Sequence, residues 1–466
     1  MSAAPRSVNY SDTLPLAISS TQNRRSYYPQ NGQSFNQSSN IIRIDVNADG
    51  LLDTQQSYLE FTLTNTSGAI RAMDQGHAWI KRLTIESAGV VLEDINNYNR
   101  LVAGILQPAQ GSAAYTGEVQ VAQYGGSNQT GKETTAAAAA IPDTAFRNAN
   151  PIVEIDQSGT MTAVAVQNAE NATGVIDTAG SFTGQYHLVC GLLNLDKYLP
   201  LVLMGQGFTI QLELETGDAI GITTAAAAAT PQTYTISNVK YVAHIVEMQR
   251  DFYDMLRNLQ AASGGSIMLG GSTFRHFSHA YTPTAAGTES INISARVRSL
   301  ENLLFVGNDT ANLASNQAYG LSGGTTLGAT AGSFNVFIGS VRYPSNQIKF
   351  NAANNKGEAY QELRKCFGAL GSINHGGLLN SASYLSSDHG DELDGGIPGY
   401  APFGISFKSW RHELEDGIDT SSRALPIRLD LRTDDNASPA ATTLDIYAQA
   451  TILFYVNMDG SVSSSV

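Results

Sequence analysis

The chain has 466 residues, of which 42 % are hydrophobic and only 15 % are charged, and its formal net charge is −14. Its length suits two large all-β units or about three domains of ordinary size. The charged fraction is well under the roughly 25 % of a soluble globular domain, which indicates that neighbouring chains cover much of the surface. The acidic balance and the scattered Lys and Arg residues argue against a basic nucleic-acid-binding arm.

Cysteine usage and hydropathy exclude several further classes. Cys190 and Cys366 lie far apart in apolar surroundings, which predicts buried free thiols rather than a disulfide or a zinc site. We expect no secretory signal peptide, and no apolar run reaches the roughly 18 residues of a membrane span. We predict no metal and no cofactor.

The N-terminal residues 1–40 are polar and carry Arg6, Arg24 and Arg25 without a block of basic residues. A genome-binding tail would need such a block. We therefore interpret this segment as an extended arm that docks on neighbouring subunits.

Period-two alternation then predicts strands along the first half of the chain. Apolar and polar residues alternate over residues 59–64, 79–86 and 208–215, as in half-buried strands. Ala88 and Gly89 turn the second of these into a hairpin. A longer strand is predicted over residues 234–248.

The second half repeats this pattern. Residues 291–298 and 425–431 alternate, and residues 443–457 form a long final strand after a Ser/Pro/Ala loop, as residues 234–248 do after an Ala/Thr-rich loop. Long terminal strands of this kind fit a sandwich whose last strand runs through the centre of a sheet. The two halves are therefore predicted to be alike.

Two helices are predicted by apolar residues at helical spacing. Phe252, Met255, Leu256 and Leu259 recur at i, i+3, i+4 and i+7, and residues 262–265 end that helix. A second helix is predicted over residues 358–370, packed against the second sandwich. Long insertions of low complexity are predicted at residues 107–150, 217–230, 309–333 and 374–402.

These elements predict an all-β chain of two tandem jelly-roll β-sandwiches, a double jelly roll with a short linker and peripheral helices. We place the N-terminal arm at residues 1–40, the first jelly roll at 41–250, the linker helix and turn at 251–265, and the second jelly roll at 266–466.

Local motifs do not indicate catalysis. Residues 320–324 match the Gly-x-Ser-x-Gly pattern, but a nucleophile elbow needs a strand before it and a helix after it. The acidic segment 388–394 lacks calcium-loop spacing, so a solvated loop is the better interpretation. His276 and His279 are interpreted as ordinary partly buried imidazoles, and His244 as a satisfied core residue. We therefore predict no catalytic, cofactor-binding or metal-ligating residues and no enzymatic activity.

Several segments occur in an order that resembles a known family. They are residues 50–53 and 57–63, 80–85 with 92–99, 234–248 leading into 251–259, 339–344 followed by 358–363, and 417–422. This order is similar to that of the double jelly-roll major capsid proteins of double-stranded DNA viruses, particularly virophages and Polinton-like viruses.

The resemblance implies a homotrimer with six jelly rolls in pseudo-hexagonal arrangement, which tiles an icosahedral shell enclosing the genome. It implies self-association as the main partnership, with penton and minor capsid proteins as further partners. It places the protein in the virion capsid after synthesis in the host cytoplasm or nucleus. Because the sequence shows no basic face, no direct sequence-specific nucleic-acid binding is expected.

Two alternatives stay open. Another viral structural protein, such as a tail, fibre or spike sandwich, would be expected to show fibre-like repeats, and none is found. A carbohydrate-binding or glycan-active sandwich would need paired carboxylates and aromatic platforms. The chain has only two tryptophans, Trp79 and Trp410.

Overall fold

Strands make up most of the structure, as the alternating sequence predicts. The structure, a computed structural model, describes residues 20–66, 70–71, 77–106, 153–155, 161–163, 175–176, 181–216, 222–223, 233–281, 287–309, 332–350, 357–367, 402–408, 416–423, 425–432 and 442–466.

The described part of the first half contains strands, one short helix and a few tight helical turns. In chain order its elements are β1 (Ser20–Tyr27), β2 (Ser34–Phe35), β3 (Ile41–Val46), β4 (Leu51–Asn65), β5 (Ile70–Arg71), a 3-10 turn (His77–Trp79), β6 (Ile80–Ser87), β7 (Val90–Asn96), α1 (Tyr98–Leu101), a π-helical turn (Val102–Leu106), β8 (Val153–Ile155), β9 (Met161–Ala163), β10 (Val175–Ile176), β11 (Ser181–Tyr186), a 3-10 turn (Leu192–Asn194), β12 (Leu199–Pro200), a 3-10 turn (Leu201–Leu203), β13 (Phe208–Leu214), β14 (Ile222–Thr223) and β15 (Tyr234–Met248).

Two large antiparallel sheets form the sandwich of the first half, and the short strands β5, β8, β9, β10 and β14 pair in two small sheets beside it. Of the large sheets, one runs in the order β1-β15-β4-β11 and the other in the order β3-β13-β6-β7. Phe208, Ile210, Leu212 and Leu214 of β13 are buried while the residues between them are half-exposed, which is the alternation that the sequence predicts. Residues of both sheets join one buried cluster, so the half is a β-sandwich.

The linker and the second half follow. Their elements are α2 (Arg250–Ala262), β16 (Ser266–Tyr281), β17 (Thr288–Ile293), β18 (Leu300–Asp309), β19 (Gly332–Ile338), β20 (Val341–Phe350), α3 (Gly357–Cys366), β21 (Phe403–Ser406), β22 (Ile427–Arg432), β23 (Thr442–Asn457) and β24 (Val462–Ser465). The sheets run in the orders β16-β23-β18-β21 and β17-β22-β19-β20.

The two halves share one topology. With the principal strands of each half numbered one to eight along the chain, both halves have one sheet in the order 1-8-3-6 and another in the order 2-7-4-5. This order belongs to the jelly roll, a double sheet built from Greek keys. The predicted fold class, two tandem jelly rolls with a short linker and peripheral helices, is confirmed.

Helix α2 lies between the two jelly rolls, where the apolar stripe predicts a linker. Gln260 is buried, and its side-chain amide donates to the carbonyl oxygen of Val456 at 2.9 Å. Only part of the predicted stripe is covered, because Met255 and Leu259 are 57 % and 56 % exposed.

The structure moves one predicted boundary. Residues 1–40 were interpreted as an extended arm that docks on neighbouring subunits, but within this chain β1 pairs with β15 from Ser20↔Met248 to Tyr27↔Tyr241. The first jelly roll therefore includes residues from Ser20 onward, and residues 1–19 lie outside the described part. Alternation could not reveal β1, because it is an edge strand whose residues are exposed on both faces.

Other differences are smaller. The strand predicted over residues 291–298 ends at Ile293, although Ala295 and Val297 beyond it are buried. The helix predicted over residues 358–370 is described as α3, Gly357–Cys366, and residues 368–370 lie outside the described part. The predicted insertions lie almost wholly outside it as well.

Candidate functional site at the seam between the jelly rolls

The two jelly rolls meet along a surface that we call the seam. The first jelly roll contributes β7, α1 and the turn Leu192–Asn194, and the second contributes β16, β23 and β24. Ser464 of β24 donates its hydroxyl to the carbonyl oxygen of Leu92 in β7 at 2.9 Å. The buried apolar residues of both halves form one continuous cluster. The seam is therefore a packed interface rather than a loose contact between separate domains.

A sharp turn after β7 directs a charged side chain across the seam. Asn97 adopts the left-handed conformation, with φ 49° and ψ 41°, which asparagine tolerates better than most residues. The turn starts α1, and Arg100 of that helix reaches the second jelly roll.

Asp445 is the centre of a buried polar network. Its side chain lies on β23 and is 0 % exposed. One carboxylate oxygen accepts a hydrogen bond from Arg100 Nη1 at 2.7 Å. The other accepts from His276 Nε2 at 2.7 Å and from Asn97 Nδ2 at 3.2 Å. Both charges of the ion pair are thus removed from water, and each belongs to a different jelly roll.

The neighbours of Asp445 fix its charge state. Burial alone would raise the pKa of this carboxyl, but the hydrogen bond from His276 and the positive charge of Arg100 hold the pKa below its ordinary value. Tyr447 completes the network, since its hydroxyl donates to the carbonyl oxygen of Asn97 at 2.8 Å. The Tyr447 ring centroid lies 5.1 Å from that of His276.

Glu93 forms a second buried contact. This β7 residue is 4 % exposed, and its carboxylate accepts the backbone N–H groups of Gly191 at 2.8 Å and Leu192 at 2.7 Å. Burial raises the pKa of the Glu93 carboxyl, while hydrogen bonds from Thr273 of the second jelly roll and from the two backbone groups act against that rise. Glu93 therefore ties β7 both to its own jelly roll and to the other.

Glycines allow the two backbones to approach closely. A Cβ atom on Gly271 would lie 2.7 Å from the carbonyl oxygen of Gly191, and one on Gly460 would lie 2.8 Å from the backbone nitrogen of Gly205. Each of these pairs joins one residue of the first jelly roll to one of the second. Side chains at Gly271 or Gly460 would push the halves apart.

Comparison with solved structures finds proteins that resemble this chain along nearly its full length. The Faustovirus major capsid protein aligns over 95 % of this chain and 91 % of its own, at 10 % identity and a TM-score of 0.57. A chain of the PBCV-1 virus capsid aligns over 98 % of this chain and 99 % of its own, at 10 % identity and a TM-score of 0.53. The mavirus major capsid protein aligns over 100 % of this chain and 95 % of its own, at 10 % identity and a TM-score of 0.51. No family model and no curated protein sequence matches the chain.

These alignments extend across both halves, and both halves share the strand order of a jelly roll. This chain is a double jelly roll. At the level of fold it resembles virus capsid proteins along nearly its whole length. No helix in the described part of this double jelly roll is long and apolar enough to cross a membrane.

The histidines singled out in the sequence have different surroundings. His276 lies in the seam, whereas His279 lies 3.3 Å from Glu289 within the second jelly roll. His244 was expected in the core; it is instead half-buried, with its ring 6.5 Å from that of Tyr58. Val242 beside it is buried, but the His244 side chain lies against Tyr58 rather than among the core residues.

The remaining predicted features are simpler. Cys190 and Cys366 are free and buried, as predicted. Among the described residues, no group of three or more His, Cys, Asp or Glu side chains is arranged to hold a metal ion. Residues 320–324 and the acidic segment 388–394 lie outside the described part of the double jelly roll.

Sequence reasoning singled out His276 but not the seam residues that surround it. Asp445 lies in the predicted final strand, on the face opposite the one occupied by Leu444 and Ile446, where a solvated carboxylate is the ordinary expectation. Its burial depends on Arg100, which is 345 positions away. This face of the strand points away from the core of its own jelly roll and is covered by the other one. Its burial therefore leaves no signal in the local pattern.

Proposed function

We propose that the chain is a major capsid protein, which assembles as a homotrimeric, pseudo-hexameric capsomer and tiles an icosahedral viral shell around the genome. The observation that carries this proposal is the double jelly-roll fold, shared along nearly the full chain with the Faustovirus and mavirus major capsid proteins. The role is structural and non-enzymatic, and its location is the virion capsid, after synthesis in the host cytoplasm or nucleus.

The seam supports this role physically. A trimer of chains that each hold two similar sandwiches presents six sandwiches around one axis, and such a unit fills a close-packed layer. This requires a fixed orientation between the two jelly rolls of a chain. The buried pair of Arg100 and Asp445 and the close glycine contacts of the seam favour such a fixed orientation.

The proposal includes partners beyond the chain itself. Penton and minor capsid proteins would close the vertices and gaps that a trimer alone leaves open. The net charge of −14 opposes direct binding to DNA, so we do not assign sequence-specific nucleic-acid binding to this chain. Tight, salt-sensitive DNA binding by the purified protein would contradict that part of the proposal.

Sedimentation analysis and negative-stain electron microscopy of the purified full chain test the main proposal. We expect a trimer in solution, hexagonal particles in projection, and closed shells on co-expression with its partners. A protein that stays monomeric at high concentration and forms neither hexagonal particles nor shells would overturn the capsid assignment.

A further inference from the structure

We propose that residues 14–18 bind to the linker helix α2 of their own chain and cover its exposed apolar stripe, which Met255 and Leu259 form. We call residues 14–18 the strap. It would continue from β1 and lie across the linker between the two jelly rolls. This contact is made inside one chain, so it does not depend on the proposed capsid function.

The apolar stripe of α2 is covered only on one side. Leu256 packs against the buried cluster, and Gln260, four residues on, donates to the second jelly roll. Met255 and Leu259 are also four residues apart, but within the described part of the chain they remain 57 % and 56 % exposed. Two large apolar side chains that adjoin on one helix face favour a partner that removes them from water.

The N-terminal segment leaves the first jelly roll beside this helix. Ser20, the first residue of β1, pairs with Met248 of β15, and α2 begins two residues later at Arg250. Because β1 and β15 are antiparallel, the chain before Ser20 continues past the end of β15, where the linker also starts. The strap therefore begins next to the helix that it is proposed to cover.

The sequence of the strap suits an apolar helix face. Residues 13–19 carry no charge, and the large apolar residues Leu14, Leu16 and Ile18 occupy alternate positions. In an extended segment such alternation places the three side chains on one side. Pro15 fixes its own φ and biases the residue before it toward an extended conformation.

The dimensions of the two partners agree. Alternate residues of an extended segment lie about 6.6 Å apart, and residues four apart in a helix lie about 6 Å apart along its axis. Ile18 and Leu16 can therefore face Met255 and Leu259 in register. With 13 residues, α2 is about 20 Å long, and an extended segment of about six residues has the same length.

Charge and width favour the strap over a lipid surface as the occupant of the stripe. Helices that lie on membranes are rich in Lys and Arg on the polar face. On α2 the exposed charged residues are balanced in sign, being Arg250, Asp251, Asp254 and Arg257. The stripe is also only one row of side chains wide, which a single extended segment can cover.

Oxidation of Met255 is the first test. Dilute hydrogen peroxide converts exposed methionine to the sulfoxide, and mass spectrometry of peptides gives the rate at each position. The double variant Leu16→Asp/Ile18→Asp places charges on the side of the strap that faces α2. In this variant we expect Met255 to be oxidised about fivefold faster than in the wild-type chain, or more, because the strap no longer shields it.

Two controls accompany this measurement. Ala17→Asp/Ser19→Asp adds the same charges on the opposite side of the segment, and it should leave the oxidation rate of Met255 unchanged. Met268, which is 55 % exposed on β16, should be oxidised at one rate in all three proteins and so shows that the fold is intact. A wild-type chain in which Met255 is oxidised as fast as Met268, with no increase in Leu16→Asp/Ile18→Asp, would overturn the inference.

Disulfide trapping is the second test and leaves the apolar contact in place. Ile18→Cys/Met255→Cys is oxidised in air and separated on a non-reducing gel, and the linked peptide is identified by its mass. We expect a bond within one chain, because the native Cys190 and Cys366 are buried. Ala17→Cys/Met255→Cys is the matched control, and it should link much more slowly because position 17 faces away from α2.

The outcomes also separate this inference from the capsid function. Disulfide-linked dimers would place the strap on a neighbouring copy and overturn the assignment to its own chain. Equal rates of linkage in the two double variants would show that the segment has no fixed position on α2, and this too would overturn the inference. Neither result bears on trimer formation by the wild-type protein, which tests the capsid function by itself.

Discussion

Asp445 and Arg100 form an ion pair at 2.7 Å across the seam, with side chains that are 0 % and 13 % exposed. One residue lies in the last long strand of the second jelly roll and the other in the short helix that follows β7 of the first. An isolated buried charge is costly, so each of these groups is stable only while the other jelly roll is in place. The pair therefore makes the folding of one half depend on the presence of the other.

Removing one charge should destabilise the whole chain. Asp445→Asn keeps the shape of the side chain but leaves Arg100 buried without its counter-charge, and we expect a loss of about 3–5 kcal/mol in the free energy of unfolding. Denaturant titration followed by intrinsic fluorescence measures this loss.

The matched control for that substitution is Asp254→Asn. Asp254 pairs with Arg257 at 3.8 Å on exposed α2, where the two side chains are 54 % and 60 % exposed. A surface pair of this kind contributes about 0–1 kcal/mol. If Asp445→Asn cost no more than Asp254→Asn, the seam network would not be a stabilising contact.

The difference in free energy of unfolding between the wild-type and Asp445→Asn proteins should depend on pH. The folded chain holds the pKa of Asp445 below its ordinary value of 3.8, so the folded state binds a proton at this site less readily than the unfolded state. The stabilisation is therefore complete at pH values above 3.8 and is lost as the pH falls through the lower pKa of the folded state.

Denaturant titrations of wild-type and Asp445→Asn proteins between pH 7 and pH 3 measure this dependence. The difference between their free energies of unfolding should stay constant down to about pH 4 and then shrink. A difference that already falls between pH 7 and pH 5 would show that another group controls the contact.

The sequence predicted the strands that pack an apolar face against the core of their own jelly roll. β13 was evident because Phe208 to Leu214 alternate, with one face in the core and the other half-exposed. β15 was predicted with the bounds that the structure has. In both strands a local pattern of apolar residues records a local boundary between core and surface.

Elements whose environment comes from distant parts of the chain were not predicted. β1 has no alternation because its residues are mostly exposed, and only its pairing with β15 identifies it as a strand. Glu93 sits in a predicted hairpin strand, but its burial comes from Gly191 and Thr273. Such contacts depend on how the two jelly rolls are placed, which no single segment specifies.

The close approach of backbones at the seam gives a prediction that involves no charge. In Gly271→Ala the new Cβ atom would lie 2.7 Å from the Gly191 carbonyl oxygen. Because that oxygen belongs to the backbone, the two jelly rolls must shift, and we expect a loss of about 1–3 kcal/mol of stability. Gly357→Ala is the control, since nothing lies within 4 Å of the added Cβ atom. Thermal unfolding measures the stability of the two variants. Equal midpoint temperatures would mean that the seam accommodates the added methyl group at Gly271 without loss of stability.

The two thiols provide a probe of the intact fold. Burial raises the pKa of both Cys190 and Cys366, so the reactive thiolate is scarce and shielded at neutral pH. We expect a soluble aromatic disulfide reagent to modify neither residue in the native chain and both in denaturant. Because Cys190 precedes the Gly191 contact of the seam, Gly271→Ala should speed the labelling of Cys190 more than that of Cys366, which mass spectrometry of the labelled peptides resolves. Equal acceleration at both positions would show that the substitution loosens the whole chain rather than the seam.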